Sequence, residues 1–155
     1  MNKIDKIKIL TENTILRTIS TEVNLNDENL KHNIELMLKF VQAEENIAIG
    51  LSAIQIGIPE RFFVMRIGYE YKEILNPTII YKNNKKRSHE ACLSIPGQSG
   101  YVKRHNKIKV VYYDLNNIKH QKTLKGLDAM VFQHEFDHLN GKLFIDKESF
   151  IKDRG

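Results

Sequence analysis

The stretch VFQHEFDHLNG (131–141) sets His134 and His138 four residues apart, with Glu135 beside the first and a glycine closing the segment. At 3.6 residues per turn that spacing stacks the two imidazoles on one helical face and leaves Glu135 about 100° round from them. Two neutral imidazoles aimed at one point are half of a tetrahedral metal shell, and a carboxylate that borders the shell without having to bind suits a general base. An amphipathic helix carrying two histidines by chance has the same pattern. Leu127, Met130 and Val131 lie seven, four and three residues before His134, a stripe that either packs a core or walls an apolar pocket beside the histidines. The helix is expected to begin near Gly126 and to stop at Gly141, where a left-handed cap belongs.

A catalytic metal needs a third protein ligand and one open position. The metzincin pattern would place a histidine six residues after His138, where this chain has Phe144; a thermolysin-like downstream glutamate is opposed by the short remainder, in which Glu148 comes too soon for a second helix. The upstream candidates are Cys92, His89, His105 and His120. Cys92 sits in EACLSIPG (90–97), ended by a Pro-Gly turn, and its thiolate would hold a borderline-soft cation well. Its other common fate is a buried small hydrophobe. As the single cysteine it excludes an intrachain disulfide and suits a reducing compartment, which places the protein in the cytoplasm.

Working outward, the 155 residues suffice for one domain (1–155) with a real core, and 41% hydrophobic with 28% charged residues is a globular balance. No apolar run has the length of a signal peptide or a membrane span. The net charge of +5 comes from scattered lysines, read mainly as solvated surface and secondarily as a contact for RNA or another polyanion. Leu30, Ile34, Met37, Leu38 and Val41 predict a one-faced helix over 29–45, with Asn26 or Asp27 as its cap. IAIGLSAIQIGIPE (47–60) fits neither period and reads as a loop over the core. Strands are expected at 61–67 and 72–82, the latter bulged or at an edge because of Pro77, followed by a lysine-rich turn NNKKRSHE (83–90). Segments 107–115 and 118–124 read as a hairpin closed by the two residues Asn116 and Asn117.

Three segments together resemble the peptide deformylase family: AIGLSAIQ (48–55) its glycine-rich motif, EACLS (90–94) its E-G-C-L-S, and QHEFDH (133–138) its Q-H-E-x-D-H. The resemblance implies an α+β fold with antiparallel β-sheets around a central C-terminal helix carrying the H-E-x-x-H residues, plus an N-terminal helix. It implies hydrolysis of the N-formyl group of N-formylmethionyl nascent chains, releasing formate, by attack of metal-bound hydroxide. Cys92, His134 and His138 would be the ligands of one divalent ion, ferrous iron first, with zinc, nickel or cobalt as alternatives. Glu135 would handle protons, while Gln55 by its side-chain amide and Leu93 by its backbone N–H would donate to the oxyanion. Glu90 would brace the cysteine loop against Arg104. Ile49, Gly50, Leu127, Met130 and Val131 would form the methionine pocket, Gly50 letting the substrate backbone approach, with 97–101 as a further side.

The chain departs from the motifs at Ala48, Ser52, Ile54 and Ala91, and a methyl at Ala91 is expected to narrow the cleft or to occupy a glycine-only backbone angle. Two other readings follow: a zinc endopeptidase using the same H-E-x-x-H residues, and a deformylase-like protein with impaired catalysis. The expected partners are the formylated peptide and, through diffuse positive charge, a weak contact with the ribosome; DNA and membrane are not expected, and the protein is expected to be a monomer.

Overall fold

The computed structural model describes residues 1–43, 45 and 48–154. In chain order they form α1 (Asn13–Leu16), α2 (Leu30–Gln42), β1 (Gly50–Ser52), a 3-10 turn (Ala53–Ile56), β2 (Phe62–Ile67), β3 (Glu70–Ala91), β4 (Ser99–Tyr113), β5 (Lys119–Lys125), α3 (Leu127–Leu139), a second 3-10 turn (Phe144–Asp146) and β6 (Ile151–Lys152). The strands make one antiparallel sheet in the order β1-β2-β3-β4-β5, with β6 added to β4.

The layering follows from β2, whose residues Phe62, Phe63, Val64 and Met65 are all fully buried. Side chains alternate across a strand. Phe62 and Val64 therefore join α2 in one core with Leu30, Ile34, Met37 and Val41, while Phe63 and Met65 join Phe132 and Leu139 of α3 in another. The sheet is clamped between two helices, each such side chain contributing about 2 kcal/mol of burial. A third cluster, Leu16, Ile95, Val102, Leu143 and Phe144, lies under the loop that carries Cys92.

The predicted stripe of α2 is the buried one, but neither Asn26 nor Asp27 is its cap. Asn29 stands in that position, and Asp27 serves one step earlier, accepting the Asn29 amide at 2.8 Å. The helix ends at Gln42, with Ala43 already extended, short of the predicted end at Glu45. Glu44, Asn46 and Ile47, the last of them the first residue of the predicted loop, lie outside the described residues. Within that loop Gly50–Ser52 is a strand, because Leu51 pairs with Val64 and is fully buried. The turn expected at 83–90 is also absent: β3 runs straight through it, paired with β4 from Lys85↔His105 to Ala91↔Ser99. Its period-2 signal is hidden because the inward positions are Ser88 and Glu90, matched by Arg104 and not by apolar residues.

The bulge expected at Pro77 is present: Leu75 pairs with Tyr113 and Thr78 with Val111, so Asn76 and Pro77 oppose one residue. The β4–β5 connection is longer than two residues. Asp114 bonds back to Ile118 across it, Asn117 takes the left-handed conformation (φ 59°), and the Asp114 carboxylate accepts the amides of Asn116 and Ile118.

α3 ends as the sequence requires. Gly141 (φ 71°) donates to the His138 carbonyl and Lys142 to that of Asp137, closing a Schellman cap. A methyl there would lie 2.3 Å from the Arg17 carbonyl oxygen, so glycine is required by space as well as by angle. Arg61 reinforces this end, donating to the Leu139 carbonyl and to Asn140 Oδ1, both at 3.0 Å.

Candidate active site

Three separate pieces of chain deliver the polar groups. Cys92 follows directly on β3, and the Ile95 amide bonds back to its carbonyl at 3.0 Å, folding EACLSIPG into a tight turn over the third core. His134 and His138 project from adjacent turns of α3, their ring centroids 5.2 Å apart. The donor atoms of Cys92, His134 and His138 all lie within 4.8 Å of one another.

His134 Nδ1 is 2.8 Å from Glu90 Oε1, so Nδ1–H donates to that carboxylate and Nε2 is the nitrogen that can take a cation in place of a proton. His138 Nε2 is 3.5 Å from Cys92 Sγ. A tetrahedral ion with S at about 2.3 Å and N at about 2.05 Å would hold these two atoms about 3.6 Å apart, so the sulfur and imidazole donors fit a divalent cation. His89, His105 and His120 are elsewhere: His89 pairs with Asp153 and His120 with Asp114, each at 2.8 Å, and His105 sits on β4. Phe144, at the position where a metzincin has its third histidine, instead lays its ring against His134, with centroids 5.9 Å apart.

The electrostatics follow from burial and pairing. Burial disfavours charge on Glu90, but hydrogen bonds from His134 and Arg104 outweigh it and bring the carboxyl down to about 2. Arg104 donates to both Glu90 oxygens (2.6 and 2.8 Å) and to Asp137 (2.8 Å), the brace expected from the sequence. Burial likewise opposes a charged His134, yet its bonds to Cys92 and Glu90 raise it to about 10, whereas His138 is held neutral, far below its usual value, by burial and by the neighbouring His134. Burial raises Glu135 despite the adjacent imidazole and a hydrogen bond from Ser52.

Gln55 is not a solvent-facing amide; it is 2% exposed. Its Oε1 accepts the Ser52 amide at 2.9 Å, which turns Nε2 toward Ser94 Oγ (3.1 Å) and Cys92 Sγ (3.5 Å). Gln55, Leu93 and Glu135 all border a cavity of about 530 Å³, with Leu93 half-exposed at its rim. Ile49, Gly50, Leu127, Met130 and Val131 line the same cavity, so the stripe ahead of His134 is pocket wall and, at Val131, core as well. Of 97–101 only Gly97 and Gln98 reach it; Ser99, Gly100 and Tyr101 are engaged in strand pairing. At Gly50 a methyl would stand 2.7 Å from Glu135 Oε2, so the carboxylate itself occupies the room a side chain would need.

Two contacts were not foreseen in the sequence: Glu90 on His134, and Ser52, whose hydroxyl lies 2.9 Å from Glu135 Oε1. The signal for Ser52 was a polar residue within an apolar run. Neither Ala48 nor Ala91 has positive φ, so neither occupies a glycine-only backbone angle. Both border the cavity, Ala91 from the end of β3.

The polypeptide deformylase family model matches residues 4–154. The chain is 40% identical over 139 residues to the peptide deformylase of Thermotoga maritima, covering 89% of this chain and 84% of that one, and 39% identical over 148 residues to that of Helicobacter pylori (strain G27), covering 89% and 83%. Among solved structures it is similar to the Thermotoga maritima peptide deformylase, with a TM-score of 0.86 at 37% identity over 93% of this chain and 98% of that one. It is also similar to the Plasmodium falciparum peptide deformylase, with a TM-score of 0.81 at 42% identity over 90% and 85%.

Proposed function

The chain belongs to the polypeptide deformylase family, metal-dependent hydrolases that remove the N-formyl group from nascent polypeptides, and from that premise we propose which of its residues perform the reaction. The observation that carries the assignment is the convergence of one sulfur and two imidazoles within 4.8 Å, beside a buried carboxylate on the wall of an apolar cavity. In this reading Cys92 Sγ and the Nε2 atoms of His134 and His138 would hold one divalent cation, which when bound would supply Lewis acidity, polarising the formyl carbonyl and easing loss of a proton from the attacking water. By the family resemblance the ion would be ferrous iron, with zinc, nickel and cobalt as alternatives that sulfur and imidazole donors also accept.

The chain's own groups do the rest. Glu135, whose carboxyl burial raises, removes a proton from the attacking water and delivers it to the leaving amine. Gln55 Nε2 and the Leu93 amide donate to the oxygen on which charge develops; a donor of this kind contributes about 3 kcal/mol to the barrier. Glu90 fixes the His134 tautomer and is itself fixed by Arg104. Ile49, Leu127, Met130 and Val131 enclose the methionine side chain, excluding water from the reacting bond.

The whole chain acts as one catalytic domain and as a monomer in the cytoplasm, on formylated peptides and not on DNA or membrane. Among the described residues no helix is long and apolar enough to cross a membrane. Contact with the ribosome is weak and rests on scattered positive charge, so it should fall steeply with added salt. The test of the main assignment is formate release from formyl-Met-Ala-Ser by anaerobically purified protein whose metal is measured in the same sample. The acetylated peptide should be inert. Cleavage of long unformylated peptides, or no formate with any of the four ions, would overturn it.

A further inference from the structure

Ser52 stands where the motif it resembles has alanine, and its side chain is fully buried. It does not border the cavity. Its hydroxyl lies 2.9 Å from Glu135 Oε1 and 3.1 Å from the Glu135 carbonyl oxygen. A hydroxyl has one proton to give, and the bond to a carboxylate is the stronger of the two. The same residue's backbone N–H donates to Gln55 Oε1 at 2.9 Å, the bond that turns the Gln55 amide toward the sulfur.

We propose that Ser52 is a positioning residue that fixes the carboxylate of Glu135 by its hydroxyl and the amide of Gln55 by its backbone, and that it leaves Glu135 Oε2 as the oxygen that moves protons. Oε2 is the atom beside Gly50, which borders the cavity, whereas Oε1 is held on the far side by Ser52. β1 thereby sets the distance between the proton carrier and the oxyanion donor. Both groups are referred to one buried residue, and a strand paired to β2 from Gly50↔Met65 to Ser52↔Phe63 has little freedom to shift.

The inference rests on the roles given above to Glu135 and Gln55, and the experiment separates the two. Ser52→Ala removes only the hydroxyl and introduces the residue found in the motif, so it is expected to fold. With full metal content it should lower kcat for formyl-Met-Ala-Ser by about 10-fold or more, the loss of one hydrogen bond to a buried charge. KM and the inhibition constant of the product Met-Ala-Ser should stay within twofold, because the backbone N–H and the pocket walls are untouched. A kcat within twofold of wild type would overturn the proposal. So would a loss shared by kcat, KM and product affinity, or a loss of bound metal, since each marks a general structural role. Glu135→Gln, run in parallel, tests the underlying assignment: a normal rate in that variant sinks the role of Glu135, whatever Ser52→Ala does.

Discussion

Replacing Gly50 by alanine tests whether the carboxylate beside it is the working group. A Cβ at this position would lie 2.7 Å from Glu135 Oε2, 3.0 Å from its Cγ and 3.1 Å from its Cδ, where ordinary contact begins at 3.4 Å. The carboxylate must therefore withdraw by about 0.7 Å, the difference between 3.4 and 2.7. It cannot do so freely, because Oε1 is tied to Ser52 and the residue is held in the middle of α3. Misplacing a reacting group by about 1 Å costs up to about 100-fold in rate, so kcat should fall between about 10- and 100-fold. Overpacking adds about 1–3 kcal/mol of destabilisation, a drop of several degrees in Tm. The assay is formate release at saturating and limiting peptide, with metal content and thermal unfolding measured on the same preparation. Metal should be retained. If kcat/KM stays within threefold of wild type at full metal occupancy, Glu135 is not held where the reaction needs it. A loss confined to KM would instead mean that Gly50 serves the approach of the substrate backbone.

Glu135→Gln should keep its metal and lose about 1000-fold in kcat, as expected for a general acid and base. Cys92→Ala should lose most of its metal on dialysis, read by elemental analysis, while far-UV circular dichroism stays native. Arg104→Met strips the buried Glu90 carboxylate of its guanidinium and leaves it only the His134 and Ser88 hydrogen bonds; about 3 kcal/mol of stability should go, seen as a Tm lower by about 10 °C. The Asp114 carboxyl is held below its ordinary value of 3.8 by the His120 hydrogen bond first and then, against burial, by the amides of Ile118 and Asn116. A depressed carboxyl stabilises the fold above its unfolded pKa and ceases to do so as pH falls through the folded value. Asp114→Ala should thus cost about 1 kcal/mol at pH 7, and its deficit against wild type should shrink below about pH 4, measured by urea unfolding across that range.

What was legible in the sequence depended on whether the signal was local. The buried face of α2, the bulge at Pro77, the glycine cap of α3 and the stacking of His134 on His138 each follow from a few neighbouring residues. β3 was misread at 83–90 because its lysines face solvent and its inward residues, Ser88 and Glu90, are polar, so no hydrophobic alternation marks the strand. β1 was missed because three residues are too few for a period, and only pairing with β2 makes them a strand. The longer connection between β4 and β5 reflects amides of Asn116 and Ile118 donating to the Asp114 carboxylate, which composition does not reveal.

By itself, the sequence determined that two imidazoles share a helical face with a carboxylate beside them, since helical geometry fixes the direction of residues one, three and four apart. It also supplied, through three separated motifs, the resemblance that named Cys92, Gln55 and Leu93. Only the tertiary structure brought the sulfur to the imidazoles, set Glu90 on His134, and put Ser52 and Gly50 on either side of the Glu135 carboxylate. Those meetings join residues from 42 to 85 positions apart in the chain. No local rule specifies them; they arise because β2 buries both of its faces and so fixes β1, β3 and α3 against one another.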